Sequence, residues 1–281
     1  MTMDLFWLGD PKSFDANLVG GKAAHLSRLA RMQHCVPDGF CLPVTVMDQA
    51  HPVDLRDEIE RAIADLMACH RLPDLTVAVR SSAVDEDGAG ASFAGQHETY
   101  LNLVGTEAVL QAVARCWESA HAERALDYRR QQGLSVERIR LAVLVQRLVA
   151  ADVSAVVFSA NPVTGNRDEV VINASWGLGE SLVGGTVTPD TFVVRKADLA
   201  VTDRLVSEKQ RMTVAVPGGT REVAVPRFLR QETTLTDDQA AEIAQLALSL
   251  EAAMGWPVDV ECAYARGQLY LLQCRPITTL S

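Results

Sequence analysis

The segment DVECAYARGQLYLLQCRPIT, residues 259–278, carries the pattern from which the rest of the fold is inferred. Apolar and β-branched residues recur over 257–264 and again over 268–274, and the pair Arg266-Gly267 separates the two runs. Two such runs joined by a short glycine-containing connection predict a β-hairpin.

The polar residues of this hairpin fall on one face. Asp259 and Glu261 are two apart on the first strand, and Gln273 and Arg275 are two apart on the second. A three-residue loop centred on Gly267 would place Glu261 opposite Gln273 and Asp259 opposite Arg275, whereas a two-residue loop would shift the pairing by one. Carboxylate and amide oxygens suit Mg²⁺, and an arginine beside them suits a transferring phosphoryl group. A solvent-facing polar stripe remains the alternative.

Outward from the hairpin, the preceding segment predicts a helix. Thr236 and Gln239 form a capping box at its start, and Gly255 supplies its end. Further upstream lie apolar, β-branched runs at 141–149, 154–159, 168–174 and 191–195. Helices and strands are mixed without strict alternation, so we expect an α+β fold. We expect one lobe over 1–140, where helical patterns dominate, and a second over 141–281.

Composition limits the function classes. The chain has 281 residues, 48% of them hydrophobic, and a formal net charge of −10. This acidic balance argues against a general nucleic-acid binder. No stretch approaches the roughly 20 apolar residues of a membrane span, and the N-terminus does not resemble a signal peptide. We therefore expect no membrane partner. Six scattered cysteines without a C-x-x-C pair favour a reducing, cytoplasmic setting.

Two N-terminal segments could bind an anion. Gly20-Gly21-Lys22 precedes a predicted helix, where backbone N–H groups and the lysine favour negative charge. Arg80 ends a predicted strand beside two serines, and the glycine-rich residues 84–97 that follow could fold over a polyphosphate. A plain turn and a structural ion pair are the alternatives. For the glycines of 176–185, a structural role at strand exits is favoured.

Taken together, these segments resemble the N-terminal nucleotide-binding domain of the phosphoenolpyruvate synthase, pyruvate phosphate dikinase and rifampicin phosphotransferase group. The similarity extends over nearly the whole chain. The matching segments are VGGKAAHLSRL (19–29), VPDGF (36–40), AVRSSAVDED (78–87), SFAGQHETYLN (92–102), VLVQRLV (143–149), SAVVFSANPVTG (154–165), GLGESLVGGTVTPD (177–190) and DVECAYARGQLYLLQCRPIT (259–278). The resemblance implies an ATP-grasp-like fold with ATP in the cleft between two α+β lobes.

The resemblance also implies roles for residues of the N-terminal half. Lys22 and Arg80 match the basic pair that binds phosphate. Gly95 and Thr99 match the loop that covers the phosphates.

The resemblance implies further roles for the segment that joins the two lobes, called the linker below. Gln146, Leu148 and Val149 match the segment between the lobes that lines the adenine pocket.

For the hairpin, the resemblance implies that Glu261 and Gln273 hold magnesium. Asp259 and Arg275 match their catalytic partners, and Arg80 is implied to act in catalysis as well.

The function implied is an ATP- and Mg²⁺-dependent phosphotransferase module that passes a phosphoryl group to a histidine on a separate or missing domain. None of the six histidines lies in a motif like that of the family's phosphorylated histidine. A stand-alone kinase of the same fold, acting on a small molecule, is one alternative. A non-catalytic nucleotide-binding regulatory subunit is another.

Overall fold

A computed structural model describes residues 4–49, 52–71, 74–84, 98–131, 133, 135–136, 139–278 and 280. The fold is α+β, as the sequence predicts. The chain divides into two compact units, 1–148 with 217–219, and 149–216 with 220–281. Within the described residues, none of the helices combines the length and apolar character that crossing a bilayer requires.

The first unit is built on an antiparallel sheet whose strands are β1 (Phe6–Trp7), β2 (Gly39–Leu42), β3 (Thr76–Ala83), β4 (Thr99–Val104) and β5 (Leu141–Arg147). Their order across the sheet is β1-β2-β5-β3-β4. Its helices are α1 (Ala16–Arg31), α2 (Val44–Gln49), α3 (Pro52–His70), α4 (Thr106–Ser119) and α5 (Glu123–Gln131).

Alternation along the strands separates the two faces of this sheet. Phe40, Val79 and Val145 pack into one core cluster with apolar residues of α3 and α4 such as Ile59 and Val113. Residues one position along each strand point to the opposite face, on which α1 lies. Strand β5, at 141–147, therefore belongs to the first unit, because its apolar residues fill that unit's core.

The second unit contains an antiparallel sheet whose strands are β6 (Val153–Phe158), β7 (Glu169–Trp176), β8 (Asp190–Arg195), β9 (Val201–Leu205), β12 (Val258–Ala265) and β13 (Gln268–Pro276). Their order across the sheet is β13-β12-β6-β7-β8-β9. A separate hairpin is formed by β10 (Arg211–Val216) and β11 (Gly219–Ala224). Its helices are α6 (Glu180–Val183) and α7 (Asp237–Met254).

Helix α7 covers one face of this sheet. It has the predicted capping box of Thr236 and Gln239, and it ends at Gly255 in the left-handed conformation. Ile243 and Leu250 of the helix are buried, as are Ile172 and Phe192 of the strands. The residues on the other face alternate with these and are more polar. Because α7 covers only the first face, the polar candidate residues of the sheet lie on the second.

Candidate functional site

The hairpin of β12 and β13 has the predicted pairing but not the predicted loop. Glu261 lies opposite Gln273, and Asp259 lies opposite Arg275. The expected three-residue loop is wrong, because Ala265 pairs with Gln268 across the two residues Arg266 and Gly267. These have φ angles of 52° and 77°, the positive values that a tight two-residue hairpin requires.

A β-bulge restores the register that this short loop would otherwise shift. The pairing changes between Glu261/Gln273 and Cys262/Leu271, which leaves Leu272 as an extra residue on β13. A bulge reverses the alternation of the strand beyond it. Gln273 therefore joins the polar face, although it is two positions from Leu271, which is buried in the core.

Asp259 and Arg275 form a largely buried ion pair on this face. Both Nε and Nη2 of Arg275 lie 2.8 Å from Oδ2 of Asp259, and the two side chains are 18% and 10% exposed respectively. Oδ1 of Asp259 is buried and has no hydrogen-bond partner among the described residues. Burial raises the pKa of the Asp259 carboxyl, and Arg275 opposes that rise. One oxygen of this carboxylate is thus left for another partner.

Glu261 and Gln273 place two further oxygen donors directly beside this pair. Gln273 is 8% exposed, and Glu261 is half-buried. Among the described residues, no three His, Cys, Asp or Glu side chains converge as a complete metal site. Mg²⁺ does not need one, since it binds through one or two carboxylates and takes its other ligands from water and substrate phosphates. The residues present therefore fit a magnesium ion that is shared with a phosphate.

In the first unit, α1 approaches the end of β3 unusually closely. Gly20 interrupts the helix with φ 76° and ψ 165°, and a Cβ built there would lie 2.1 Å from the carbonyl oxygen of Ser82. The N–H of Ala23 donates to Oγ of Ser82 at 3.1 Å, and Nζ of Lys22 donates to the carbonyl oxygen of Ser81 at 3.0 Å. The two anion-binding segments expected from the sequence are therefore in direct contact.

Three other candidate residues share the sheet face on which α1 lies. Arg80 pairs with Thr99 on β4 and with Leu144 on β5, and Gln146 is two positions from Leu144. Arg80 is 9% exposed and Gln146 is 2% exposed, whereas Thr99 is half-buried. The sheet register thus brings Arg80, Thr99 and Gln146 to the face that also holds Lys22.

The linker residues are fixed by backbone contacts. Nε2 of Gln146 donates to the carbonyl oxygen of Pro37 at 2.9 Å, and the N–H of Leu148 donates to that of Thr76 at 2.9 Å. Leu148 is the last residue of the first unit before the second begins at Val149. The side-chain amide of Gln146 is therefore engaged within its own unit. Gly95 and the glycine-rich loop around it lie outside the described residues.

Among the glycines of 176–185, Gly177 has a structural role in this geometry. A Cβ at Gly177 would lie 2.3 Å from the carbonyl oxygen of Thr213, so glycine is required for that close approach. Asp190 is fully buried and forms an ion pair with the equally buried Lys209 at 2.6 Å.

Sequence reasoning missed two polar pairs in this unit. Lys209 carries no motif that points to Asp190, and Asn173 with Thr191 becomes visible only through the strand register. Asp190 is the last residue of the family-like segment 177–190, but that segment does not identify its partner.

The sequence of this chain is similar to those of known proteins. A family model described as the pyruvate phosphate dikinase AMP/ATP-binding domain matches residues 44–281. A probable phosphoenolpyruvate synthase of Methanocaldococcus jannaschii is 45% identical over 230 residues, which cover 82% of this chain and 19% of the relative. A rifampicin phosphotransferase of Streptomyces sviceus is 39% identical over 306 residues, covering 94% of this chain and 34% of the relative.

A third relative and a solved structure complete the comparison. A probable phosphoenolpyruvate synthase of Archaeoglobus fulgidus is 34% identical over 317 residues, covering 99% of this chain and 42% of the relative. The chain thus spans less than half the length of each of these three relatives. A D-alanine–D-alanine ligase of Bacillus anthracis matches with a TM-score of 0.40 and 8% identity over 98% of this chain and 60% of that one, a similarity too low to carry an argument.

Proposed function

Because this chain belongs to the family of the pyruvate phosphate dikinase AMP/ATP-binding domain, we propose that it binds ATP with Mg²⁺ and donates a phosphoryl group. The acceptor in this proposal is a histidine carried by a separate domain or polypeptide. Two relatives of this chain are named for phosphoenolpyruvate synthesis and for phosphotransfer to rifampicin, and each is more than twice as long as the part it shares with this chain. The proposal therefore assigns to this chain only the binding of ATP and the donation of its phosphoryl group.

The observation that carries the proposal is the pairing across the β12–β13 hairpin. The bulge at Leu272 sets Gln273 opposite Glu261 and Arg275 opposite Asp259, all on the sheet face away from α7. Two oxygen donors, a carboxylate with an unused oxygen and a guanidinium are thereby gathered on one patch. β-Bulges are over-represented next to active sites, where they re-aim a side chain, and here the bulge turns Gln273 to the polar face.

Within this patch, Glu261 and Gln273 would hold Mg²⁺, which neutralises charge on the terminal phosphates when it is bound. Arg275 would contact the phosphoryl group that is transferred, because a guanidinium offers several N–H donors in a fixed plane. Asp259 would orient Arg275 through the bonds to Oδ2. The side chains of this patch therefore divide into metal ligands and a positioned cation.

In the first unit, Lys22 and Arg80 would contact the phosphates of ATP. The support is their placement on one face of the sheet, together with the close approach of α1 to β3. Thr99 and Gly95 would contribute to covering the phosphates. The pocket for the base would be lined by Gln146, Leu148 and Val149. The reaction would take place in the cytoplasm.

The experiment that tests the proposal follows the products of ATP. The chain is incubated with ATP and MgCl₂, alone and with the remaining segments of a full-length relative added as a separate polypeptide. We expect AMP, inorganic phosphate and acid-labile phosphate on that polypeptide, because of the two phosphoryl groups that ATP loses in forming AMP the histidine keeps one and water takes the other as inorganic phosphate. We expect Glu261→Gln to abolish all three products while its circular dichroism spectrum stays unchanged. Glu222→Gln, which alters an exposed strand of the same unit, is the control and should retain turnover.

Two results would contradict the proposal. Formation of ADP together with a phosphorylated small molecule would indicate a stand-alone kinase. Full turnover by the Glu261→Gln variant would exclude the hairpin as the metal site.

A further inference from the structure

The residues opposite Glu261 continue as a single row across the sheet of the second unit. Glu261 pairs with Gln273 on one side and with Val156 on the other. Val156 pairs with Asn173, and Asn173 pairs with Thr191. Because directly paired residues of an antiparallel sheet point to the same side, all five side chains lie on the face away from α7. The row that begins at the hairpin therefore reaches three strands further, across β6 and β7 to β8, than the family-derived roles require.

Thr191 fixes the orientation of the Asn173 side chain. The Thr191 hydroxyl donates to Oδ1 of Asn173 at 2.9 Å. With its oxygen bonded in this way, the amide of Asn173 offers the two N–H groups of Nδ2 to other partners. Both residues are half-buried, and the one side chain between Asn173 and Glu261 is the apolar Val156. The row thus presents an oriented hydrogen-bond donor at a fixed distance from the oxygen donors.

The spacing of the strands excludes Asn173 as a ligand of the ion that Glu261 would hold. Strands lie about 4.8 Å apart, so two strand intervals place the two backbone positions about 10 Å apart. An N–H group also cannot ligate a cation. What it can bind is an anionic oxygen, and a nucleotide triphosphate is long enough to extend from a metal ion to a donor at this separation.

Position along the strands relates this row to the phosphates rather than to the base. In the proposed function the base lies at the linker that ends at Val149, and β6 begins soon afterwards at Val153. Val156, which marks the row on β6, lies three residues further, about 10 Å along the strand. The row contains the proposed metal ligands Glu261 and Gln273, and a metal ion held there would neutralise charge on the terminal phosphates.

We propose that Asn173 binds the terminal phosphoryl group of ATP through its side-chain amide, and that Thr191 is a positioning residue for that amide. This inference rests on the proposed function, since it takes the metal site at Glu261 and Gln273 as its reference. It adds a nucleotide contact on β7, outside the hairpin.

The test compares the affinities of ATP and ADP, both with MgCl₂, by isothermal titration of the whole chain. Asn173→Ala should weaken ATP binding about tenfold or more, the scale of a lost hydrogen bond to a charged group, and change ADP binding less than twofold. Asn173→Asp should weaken ATP binding further, because a carboxylate repels the phosphate. A purely structural role would weaken both nucleotides equally.

Variants of Thr191 test the positioning role. Thr191→Val removes the hydroxyl at nearly constant shape and should weaken ATP binding several-fold, whereas Thr191→Ser keeps the hydroxyl and should restore it. Thr202→Val on the edge strand β9, where the side chain is exposed, is the matched control and should bind both nucleotides as the unmodified chain does.

The outcomes separate this inference from the function on which it rests. If the unmodified chain binds no ATP with MgCl₂, both fail. If it binds ATP and Glu261→Gln weakens that binding, but Asn173→Ala binds ATP normally or loses ATP and ADP equally, the contact at Asn173 alone is overturned. Should Asn173→Ala fail to fold, equal ATP affinity in Thr191→Val and Thr191→Ser would overturn it instead.

Discussion

At the level of single residues, two buried ion pairs of the second unit differ in how fully each carboxylate is hydrogen-bonded. Asp190 accepts bonds at both oxygens, from Ser207 and Lys209 at Oδ1 and from Thr234 at Oδ2. Asp259 accepts bonds from Arg275 at Oδ2, and its Oδ1 has no partner among the described residues. The Asp190–Lys209 pair, in which both carboxylate oxygens are hydrogen-bonded, has the character of a structural ion pair. The Asp259–Arg275 pair, in which one carboxylate oxygen is left for another partner, has that of a binding site.

Replacing Lys209 tests the structural pair. Lys209→Met would leave the buried carboxylate of Asp190 without its cation, so we expect a loss of about 3–5 kcal/mol in the free energy of unfolding. Urea denaturation followed by circular dichroism measures it. Lys196→Met breaks a more exposed pair with Glu251 and should cost about 1 kcal/mol or less. Equal losses in both variants would show that burial does not distinguish the two pairs.

Replacing Lys22 tests the phosphate contact of the first unit. Lys22→Ala should weaken ATP binding by about 1–3 kcal/mol, the range for a hydrogen bond to a charged group. Titration calorimetry gives the affinity, and a thermal melt shows whether loss of the bond to Ser81 alters the fold. Lys12→Ala, at an exposed position, serves as the control. An unchanged affinity in Lys22→Ala would remove this residue from the nucleotide site.

At the level of secondary-structure elements, the fit of α1 against β3 depends on Gly20. Its φ of 76° is unfavourable for residues with a side chain, and the backbone of Ser82 occupies the space that a Cβ would need. The close approach places Lys22 and the serines after Arg80 side by side. Gly20 therefore meets a steric requirement of the contact that brings Lys22, a proposed phosphate ligand, beside β3.

Substitution by alanine separates two costs of a side chain at Gly20, the cost of the positive φ and the cost of the contact with Ser82. Gly20→Ala should destabilise the chain by about 1–3 kcal/mol beyond the cost of the positive φ alone, because the backbone must shift. Gly105→Ala is a matched control, since Gly105 has φ 80° and ψ 158° with nothing within 4 Å of a Cβ. Chemical denaturation of both variants measures the difference. If they lose the same stability, the contact with Ser82 is not the constraint.

The β12–β13 hairpin shows how far sequence patterns predict an element. The positions of both strands and the pairing of their polar residues follow from alternation and from Gly267. The loop length and the bulge do not follow from these patterns. The two-residue loop shifts the register by one residue and the bulge at Leu272 shifts it back, so the final pairing is the same as with a three-residue loop and no bulge. Which leucine is left out of the pairing depends on packing against the core, which no local pattern records.

At the level of the whole molecule, the six cysteines report on the two units separately. Cys41 and Cys116 are buried in the first unit and Cys262 and Cys274 in the second, whereas Cys35 and Cys69 are exposed. Burial raises the pKa of the Cys41 thiol, and it raises the pKa of Cys116 and of Cys262 to about 12 in each case. Thiols of this kind stay protonated at pH 8 and do not act as nucleophiles.

Alkylation at pH 8 should therefore modify two cysteines of the folded chain. We expect iodoacetamide to label Cys35 and Cys69 under native conditions and all six residues in urea, as counted by intact mass. Peptide mapping at intermediate urea concentrations then shows which unit opens first. Native labelling of Cys262 or Cys116 would contradict the burial described for that unit.

The amino-acid sequence by itself determined the α+β class, the capped helix α7, the hairpin and the family-like segments that single out Lys22, Arg80, Glu261 and Gln273. These depend on local periodicity and on residue types at fixed spacing, which a linear pattern records. The tertiary structure decided the bulge at Leu272, the burial of Lys209 against Asp190, and the row that joins Asn173 to the hairpin. Those features depend on which strands become neighbours and in what register, and strand register is set by the packing of residues far apart in the chain.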